Sequence, residues 1–139
     1  NLLFPLRLVA AGSKAFKKTI KLAGQKITSS FPLVVHETYP KAWKQWSKRT
    51  GIELPEDSKI TRLGSMIAVV RAAERGLGAA MVPVPLADQW FKQRTIVRLF
   101  DDELEADVSY YLVRREDRAD DEDVRRLCDW ILQELRGLA

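Results

Sequence analysis

Residues 64–83 constrain the fold of this chain more than any other part of its sequence. Ser65 is a favourable helix N-cap, because its hydroxyl can accept from backbone N–H groups of the first turn. Apolar side chains then recur at helical spacing, and Gly76 suits the left-handed position just past a helix end. Residues 79–82 are wholly apolar and Pro83 follows them, as for a short strand covered on both faces. The segment therefore predicts a helix, a glycine turn and a buried strand.

Segments of both kinds alternate along the rest of the chain. Apolar or alternating sequences predict strands at residues 6–10, 33–36, 59–63, 79–82, 95–99 and 106–113. Helical spacing and capping residues predict helices at 14–23, 42–50, 86–92 and 121–138, one that starts at Ser65, and a single turn at 27–31. Strands separated by helices of this length predict one α/β domain with a mainly parallel sheet.

The last predicted helix carries a long apolar stripe. Its members are Val124, Leu127, Cys128, Ile131, Leu132, Leu135 and Leu138. Acidic residues 120–123 precede the stripe and Arg136 lies near its end, which is the favourable polarity for a helix dipole. Cys128 is the only cysteine, so the chain forms no internal disulfide, and its place in the stripe indicates a core residue.

Positive charge is concentrated in the first part of the chain. Residues 1–60 hold eleven Lys and Arg against four acids, a net +7, whereas residues 61–139 hold twelve against fifteen, a net −3. The lysines of residues 14–26 alternate with apolar residues at helical spacing, which favours a solvated helix face over a surface that binds a polyanion. Because no run of eighteen apolar residues occurs, we predict no membrane partner.

The sequence contains no recognisable catalytic or metal-binding pattern. One histidine and one cysteine cannot by themselves build a tetrahedral metal site, and no G-x-S-x-G nucleophile motif occurs. Gly76 and Gly78 precede a predicted strand, the reverse of the dinucleotide fingerprint. We therefore predict no catalytic residue, no metal and no cofactor. Tyr39, Trp43 and Trp46 share one helix side, where packing against a sheet is favoured over stacking on a ligand.

The order of these features resembles the effector-binding half of LysR-type transcriptional regulators. The resemblance covers nearly the whole chain and rests on PLRLVAAGS at 5–13, FPLVVH at 31–36, AWKQW at 42–46, GSM at 64–66, AAERGLGAAMVP at 72–83, SYYLV at 109–113 and residues 124–135. It implies a periplasmic-binding-protein-like (type 2), Rossmann-like subdomain with a mainly parallel sheet and a C-terminal helix. This is the second regulatory subdomain of the family with its returning strand.

The resemblance also implies a ligand site. In this family a small-molecule effector binds between two subdomains, and serines or threonines at helix starts often contact it. Carried onto this sequence, the implied effector-binding residues are Ala11, Ser13, His36, Gly64, Ser65, Met66 and Val84. Ser65 is the foremost of them, because its hydroxyl and the amides that follow can receive a carboxylate of an anionic effector.

The resemblance further implies a cytoplasmic homo-oligomer that contacts DNA only through a helix-turn-helix. Neither that DNA-binding domain nor the first regulatory subdomain has a counterpart in these 139 residues. The stripe of the last helix would then stay exposed and favour self-association. Two alternatives remain open, namely a small-molecule-binding α/β protein unconnected with transcription and a small α/β enzyme with an unrecognised site.

Overall fold

Strands and helices alternate along the chain in this computed structural model, which describes residues 1–118 and 120–135 apart from the side chains of residues 107 and 108. The strands are β1 (Leu2–Gly12), β2 (Leu22–Ala23), β3 (Lys26–Ile27), β4 (Leu33–His36), β5 (Ile60–Leu63), β6 (Ala79–Val84) and β7 (Val97–Tyr111). The helices are α1 (Lys14–Thr19), α2 (Ala42–Thr50), α3 (Met66–Glu74), α4 (Asp88–Lys92) and α5 (Glu122–Leu135), with a 3-10 turn at Glu116–Arg118. Residues 7–104 form one compact unit, and residues 1–6 with the described residues from 105 to 135 form another.

Five strands form the main sheet in the order β5-β4-β6-β1-β7. Strand β4 is parallel to β5 and to β6, with Leu33 paired to Ile60 on one side and to Ala79 on the other. Strand β1 runs antiparallel to β6. The sheet is therefore mixed, and the predicted parallel arrangement is its β5-β4-β6 part. Antiparallel strands at the side of a parallel sheet are common in α/β folds.

The two faces of the sheet bury different side chains. Helix α3 covers one face, where Val69, Val70, Ala72 and Ala73 join a cluster that includes Val9, Val34 and Val82. The neighbouring Leu8 and Met81 line a small cavity with Trp43 on the other face, as the alternation of strand side chains requires. Trp43 and Trp46 are 4% and 0% exposed, so the packing interpretation of these tryptophans is confirmed.

Helix α1 is shorter than the sequence predicts. It ends at Thr19, and the chain then forms the β2–β3 hairpin with Gly24 at φ 63°. The predicted helix 14–23 and helical turn 27–31 are therefore wrong beyond residue 19. The hairpin prevails because its start is held by hydrogen bonds from Lys21 N–H to the Ser29 hydroxyl and from Thr28 N–H to the Lys21 carbonyl.

Strand β7 is continuous where the sequence predicts separate strands at 95–99 and 106–113, with the acids of residues 101–105 between them. The acids do not break it, because Glu103 accepts from Arg7 and from Arg98 at 3.0 Å each, while Leu104 is buried. Asp101 and Asp102 are exposed. Among the described side chains of this strand, the acids are therefore either exposed or paired with arginines, and the strand continues through them.

Helix α5 buries only part of its predicted stripe. Cys128 is 7% exposed, in line with its prediction as a core residue, whereas Leu127 of the same stripe stays 57% exposed and the neighbouring Trp130 58% exposed. The predicted positions Arg136 and Leu138 lie outside the described residues. In the part of the chain that the structure covers, every helix is too short or too polar to traverse a lipid bilayer.

Asp121 caps α5 and makes the start of this helix sensitive to pH. Its side chain accepts from the Arg118 guanidinium at 2.9 Å and from the N–H groups of Val124 and Asp123. These bonds, Arg118 first, lower the pKa of Asp121 below its ordinary value of 3.8. A depressed folded-state pKa stabilises the helix above the ordinary value, and the stabilisation is lost as the pH falls through the folded-state pKa.

We therefore expect Asp121→Ala to speed amide hydrogen exchange in the first turn of α5 at neutral pH. The protection of these amides in the wild-type chain should fall to that of the variant only in acid. Asp129→Ala, which removes an exposed acid in the middle of the same helix, is the control. Equal exchange in the two variants at neutral pH would rule out the cap.

Candidate functional site

The carboxyl ends of β5, β4 and β6 meet at one edge of the sheet. Leu63 and His36 end two neighbouring strands and pair in register, and the Leu63 carbonyl accepts from Glu37 N–H at 2.9 Å. This pairing places the loop that enters α3 beside the loop that follows β4. In open α/β sheets such an edge is the usual place for a ligand.

Ser65 begins α3 at this edge as the sequence predicts. Its hydroxyl accepts from Ala68 N–H at 3.1 Å, and its carbonyl accepts from Val69 N–H at 3.1 Å. Within residues 1–118 and 120–135, the N–H groups of Met66 and Ile67 donate to no acceptor, and the first turn of α3 contains no acidic residue. Since Gly64 and Ser65 are exposed, these donors form an open, electropositive helix start.

A carboxylate stands next to this helix start. A Cβ atom built on Gly64 would lie 3.3 Å from Oε2 of Glu37. Glu37 is exposed and directly follows β4. Sequence reasoning missed this residue, because its nearness to Gly64 depends on the register of β4 against β5. The signal that could have found it is its position as the first acid after a buried parallel strand.

His36 is half-buried and helps to shape the loop after β4. Its Nδ1 atom accepts from Thr38 N–H at 3.0 Å, so the neutral ring carries its proton on Nε2. Its ring centroid lies 5.5 Å from that of Tyr39. A cavity of about 10 Å³ beneath the two rings has room for about one water molecule. His36 therefore contributes a turn and one N–H donor, while the small cavity is not a ligand pocket.

The predicted site residues divide between two edges of the sheet. Gly64, Ser65, Met66 and His36 come together at the carboxyl edge. Val84 ends β6 at the same edge, but it is 2% exposed and belongs to the cluster under α3.

Ala11 and Ser13 lie toward the other end of the sheet. Ala11 is fully buried and pairs with Ala80 near the start of β6. The Ser13 hydroxyl accepts from Phe16 N–H at 3.0 Å and lies 3.4 Å from a Cβ built on Gly76. The structure therefore does not bring these two residues together with Ser65. In the described part of the chain, no group of three or more His, Cys, Asp or Glu is arranged to hold a metal ion.

Comparison with known proteins gives one consistent family. The profile described as the LysR substrate binding domain matches residues 3–136. The HTH-type transcriptional activator AmpR of Enterobacter cloacae is 25% identical over 95 residues, which is 68% of this chain and 32% of that protein. The chain thus spans about a third of the length of this relative.

Solved structures share the fold. The AmpR effector binding domain from Citrobacter freundii superposes with a TM-score of 0.79 at 18% identity, covering 99% of this chain and 67% of that one. Full-length LysG from Corynebacterium glutamicum, solved with its effector Arg bound, gives a TM-score of 0.61 at 20% identity, covering 96% and 44%.

Proposed function

Because the chain belongs to the LysR substrate binding domain family, we propose that it is the effector-sensing part of a LysR-type bacterial transcriptional regulator. We assign residues 7–104, which form one of the two compact units, to the second regulatory subdomain. The returning strand and α5 belong to the remainder of the effector-binding domain. The first regulatory subdomain and a DNA-binding helix-turn-helix lie outside these 139 residues in the working protein.

The proposed position of the effector site rests on the open start of α3. It offers the unbonded N–H groups of Met66 and Ile67 and the Ser65 hydroxyl, without an acid in its first turn. These groups suit a carboxylate. Gly64 lets a ligand approach the backbone closely, and the Nε2 proton of His36 is a further donor. We therefore assign the site to Gly64, Ser65, Met66 and His36, and we include Glu37 because its carboxylate lies close to Gly64.

Glu37 narrows the class of effector. Its carboxylate lies close to the same helix start and would repel a simple anion. A ligand that has both a carboxylate and a cationic group suits the helix start and Glu37 together, because its carboxylate can bind at α3 while its cation faces Glu37. We therefore assign the effector to the zwitterionic amino acids and short peptides. The LysG structure with bound Arg supports the use of arginine as a first probe.

The effector acts by shifting a conformational equilibrium. A ligand held between this edge and another subdomain binds a closed arrangement more tightly than an open one, and only that difference in affinity moves the equilibrium. The movement changes how paired DNA-binding domains sit on an operator in the cytoplasm. The chain works in a homo-oligomer, and the exposed Leu127 and Trp130 of α5 are apolar surface available for such contacts. We assign no catalytic role.

Replacing the capping serine of α3 tests the site. Ser65→Gly removes the hydroxyl but leaves a tolerated N-cap, so it should cost only a few tenths of a kcal/mol in stability. Loss of a hydrogen bond to a charged ligand costs about 1.5–3 kcal/mol, hence affinity for the effector should fall about tenfold or more. The measurement is calorimetric titration, after thermal-shift screening with arginine, glutamate, an alanyl dipeptide and benzoate as probes.

Ser13→Gly is the matched control, because Ser13 caps α1 in the same way at the other end of the sheet. It should leave the affinity unchanged. Equal loss of affinity in both variants would contradict the site at α3. Benzoate binding in preference to all of the zwitterions would contradict the proposed effector class.

A further inference from the structure

Two neighbouring helices expose a group of cations that we call the basic face. Its members are Lys14, Lys17 and Lys18 of α1, Lys41 at the start of α2, and Lys44, Lys48 and Arg49 within α2, all of them exposed. The two helices are neighbours, because Phe16 of α1 and Trp43 of α2 both lie with their ring centroids 5.6 Å from that of Phe31.

The charge of this face is uncompensated. Within residues 1–118 and 120–135, none of its seven cations has a carboxylate oxygen within 4.0 Å. Elsewhere in the same unit, Arg7 and Arg98 share the carboxylate of Glu103. Unpaired cations gathered on one surface produce a positive potential that attracts anions from solution.

Helix stabilisation accounts for only part of the pattern. Four of the seven cations lie in the last turns, where a cation complements the helix dipole, namely Lys17, Lys18, Lys48 and Arg49. Lys14, Lys41 and Lys44, however, lie at the starts of α1 and α2, where neither helix has an acid. A cation at that position opposes the helix dipole. The helix dipoles therefore leave the positions of these three lysines unexplained.

We propose that the basic face binds the phosphate backbone of double-stranded DNA without regard to sequence. Lys41, Lys44 and Lys48 project from one side of α2 and are separated by about 4.5 and 6 Å along its axis. Phosphates of one DNA strand follow each other at about 3.4 Å along the axis of the duplex, so several of them fall within the span of the three lysines. This contact goes beyond the proposed function, which places sequence-specific recognition in a helix-turn-helix outside these residues.

The neighbouring side chains favour duplex DNA over other polyanions. Binding of a single strand relies on aromatic side chains that stack on bases, but Trp43, Trp46 and Phe16 are buried. An anionic membrane also attracts cations, but stable attachment adds apolar side chains that enter the lipid, and neither α1 nor α2 exposes a large hydrophobic residue. The face offers cations alone, and these match a backbone of phosphates.

Fluorescence anisotropy of a labelled duplex of arbitrary sequence tests the contact with the 139-residue chain. If four phosphates are engaged, the logarithm of the association constant should fall with the logarithm of salt concentration with a slope of about −3.6, between about 50 and 200 mM salt. K44E/K48E should weaken binding on the order of tenfold and make the slope about two units shallower. R75E/K92E, which makes the same change in net charge through exposed residues at α3 and α4, should weaken binding less than about threefold.

Two controls complete the experiment. A single strand of the same length and vesicles of phosphatidylserine should both bind more weakly than the duplex. Absence of salt-dependent binding to the duplex, equal weakening by both double variants, or tighter binding of either competitor would overturn the proposal. Because no effector enters the measurement, none of these results bears on the site at α3.

Discussion

Trp46→Ala is expected to cost about 3–5 kcal/mol of folding free energy, the range for removal of a large buried aromatic ring. Trp46 is fully buried, and its ring centroid lies 5.3 Å from that of Trp43 and 5.1 Å from that of Phe100. A cavity in this cluster would loosen α2 from the sheet. Urea denaturation followed by circular dichroism measures the loss.

Two further variants separate the role of the ring from other effects. Nε1 of Trp46 is buried without a hydrogen-bond partner among the described residues, so Trp46→Phe gives up no bond and should cost far less than Trp46→Ala. Trp130→Ala removes a ring that is 58% exposed and should change the free energy of unfolding by about 0.5 kcal/mol or less. If Trp46→Ala were as mild as Trp130→Ala, the aromatic cluster would not be the support of α2 that the structure indicates.

Gly78→Ala is expected to be the second most damaging change, with a cost of about 1–3 kcal/mol or more from overpacking. A Cβ atom at Gly78 would lie 2.5 Å from the Pro32 carbonyl oxygen. That oxygen accepts from Ala79 N–H at 2.8 Å, where β6 begins to pair with β4. The added methyl group must therefore push apart two central strands. Thermal and urea unfolding measure the effect.

Gly64→Ala provides the matched comparison for this change. Its nearest neighbour would be the flexible Glu37 side chain at 3.3 Å, which can move into solvent. The expected cost is therefore below about 1 kcal/mol. A cost for Gly78→Ala no greater than that for Gly64→Ala would mean that β6 and β4 are not in close contact at Pro32.

Local signals accounted for the parts of the fold that sequence reasoning predicted well. Helix α2 begins and ends as predicted, and Gly51 stops it in the left-handed conformation at φ 76°. Ser65 caps α3, and Gly76 follows that helix at φ 74°. In each case a residue at or next to the end of the helix determines where the helix begins or ends, and such a residue can be recognised from the sequence alone.

Contacts between distant residues explain what the sequence did not reveal. The continuity of β7 depends on ion pairs that bring Arg7 to Glu103, and acids taken alone indicate a loop. The separation of Ser13 from Ser65 follows from the antiparallel register of β1 against β6. Both serines have equivalent local sequences as N-caps, so their neighbours in space could not be distinguished before the sheet order was known.

Effector binding at the start of α3 can be observed residue by residue in an amide-resolved titration of the isotopically labelled chain with arginine and the other probes. An effector bound at the start of α3 should shift the backbone resonances of Ser65, Met66, Ile67 and Glu37 together, in a saturable manner, and leave those of Ala11 and Ser13 in place. A saturable response confined to Ala11 and Ser13, or no response at α3 to any zwitterionic probe, would contradict the account.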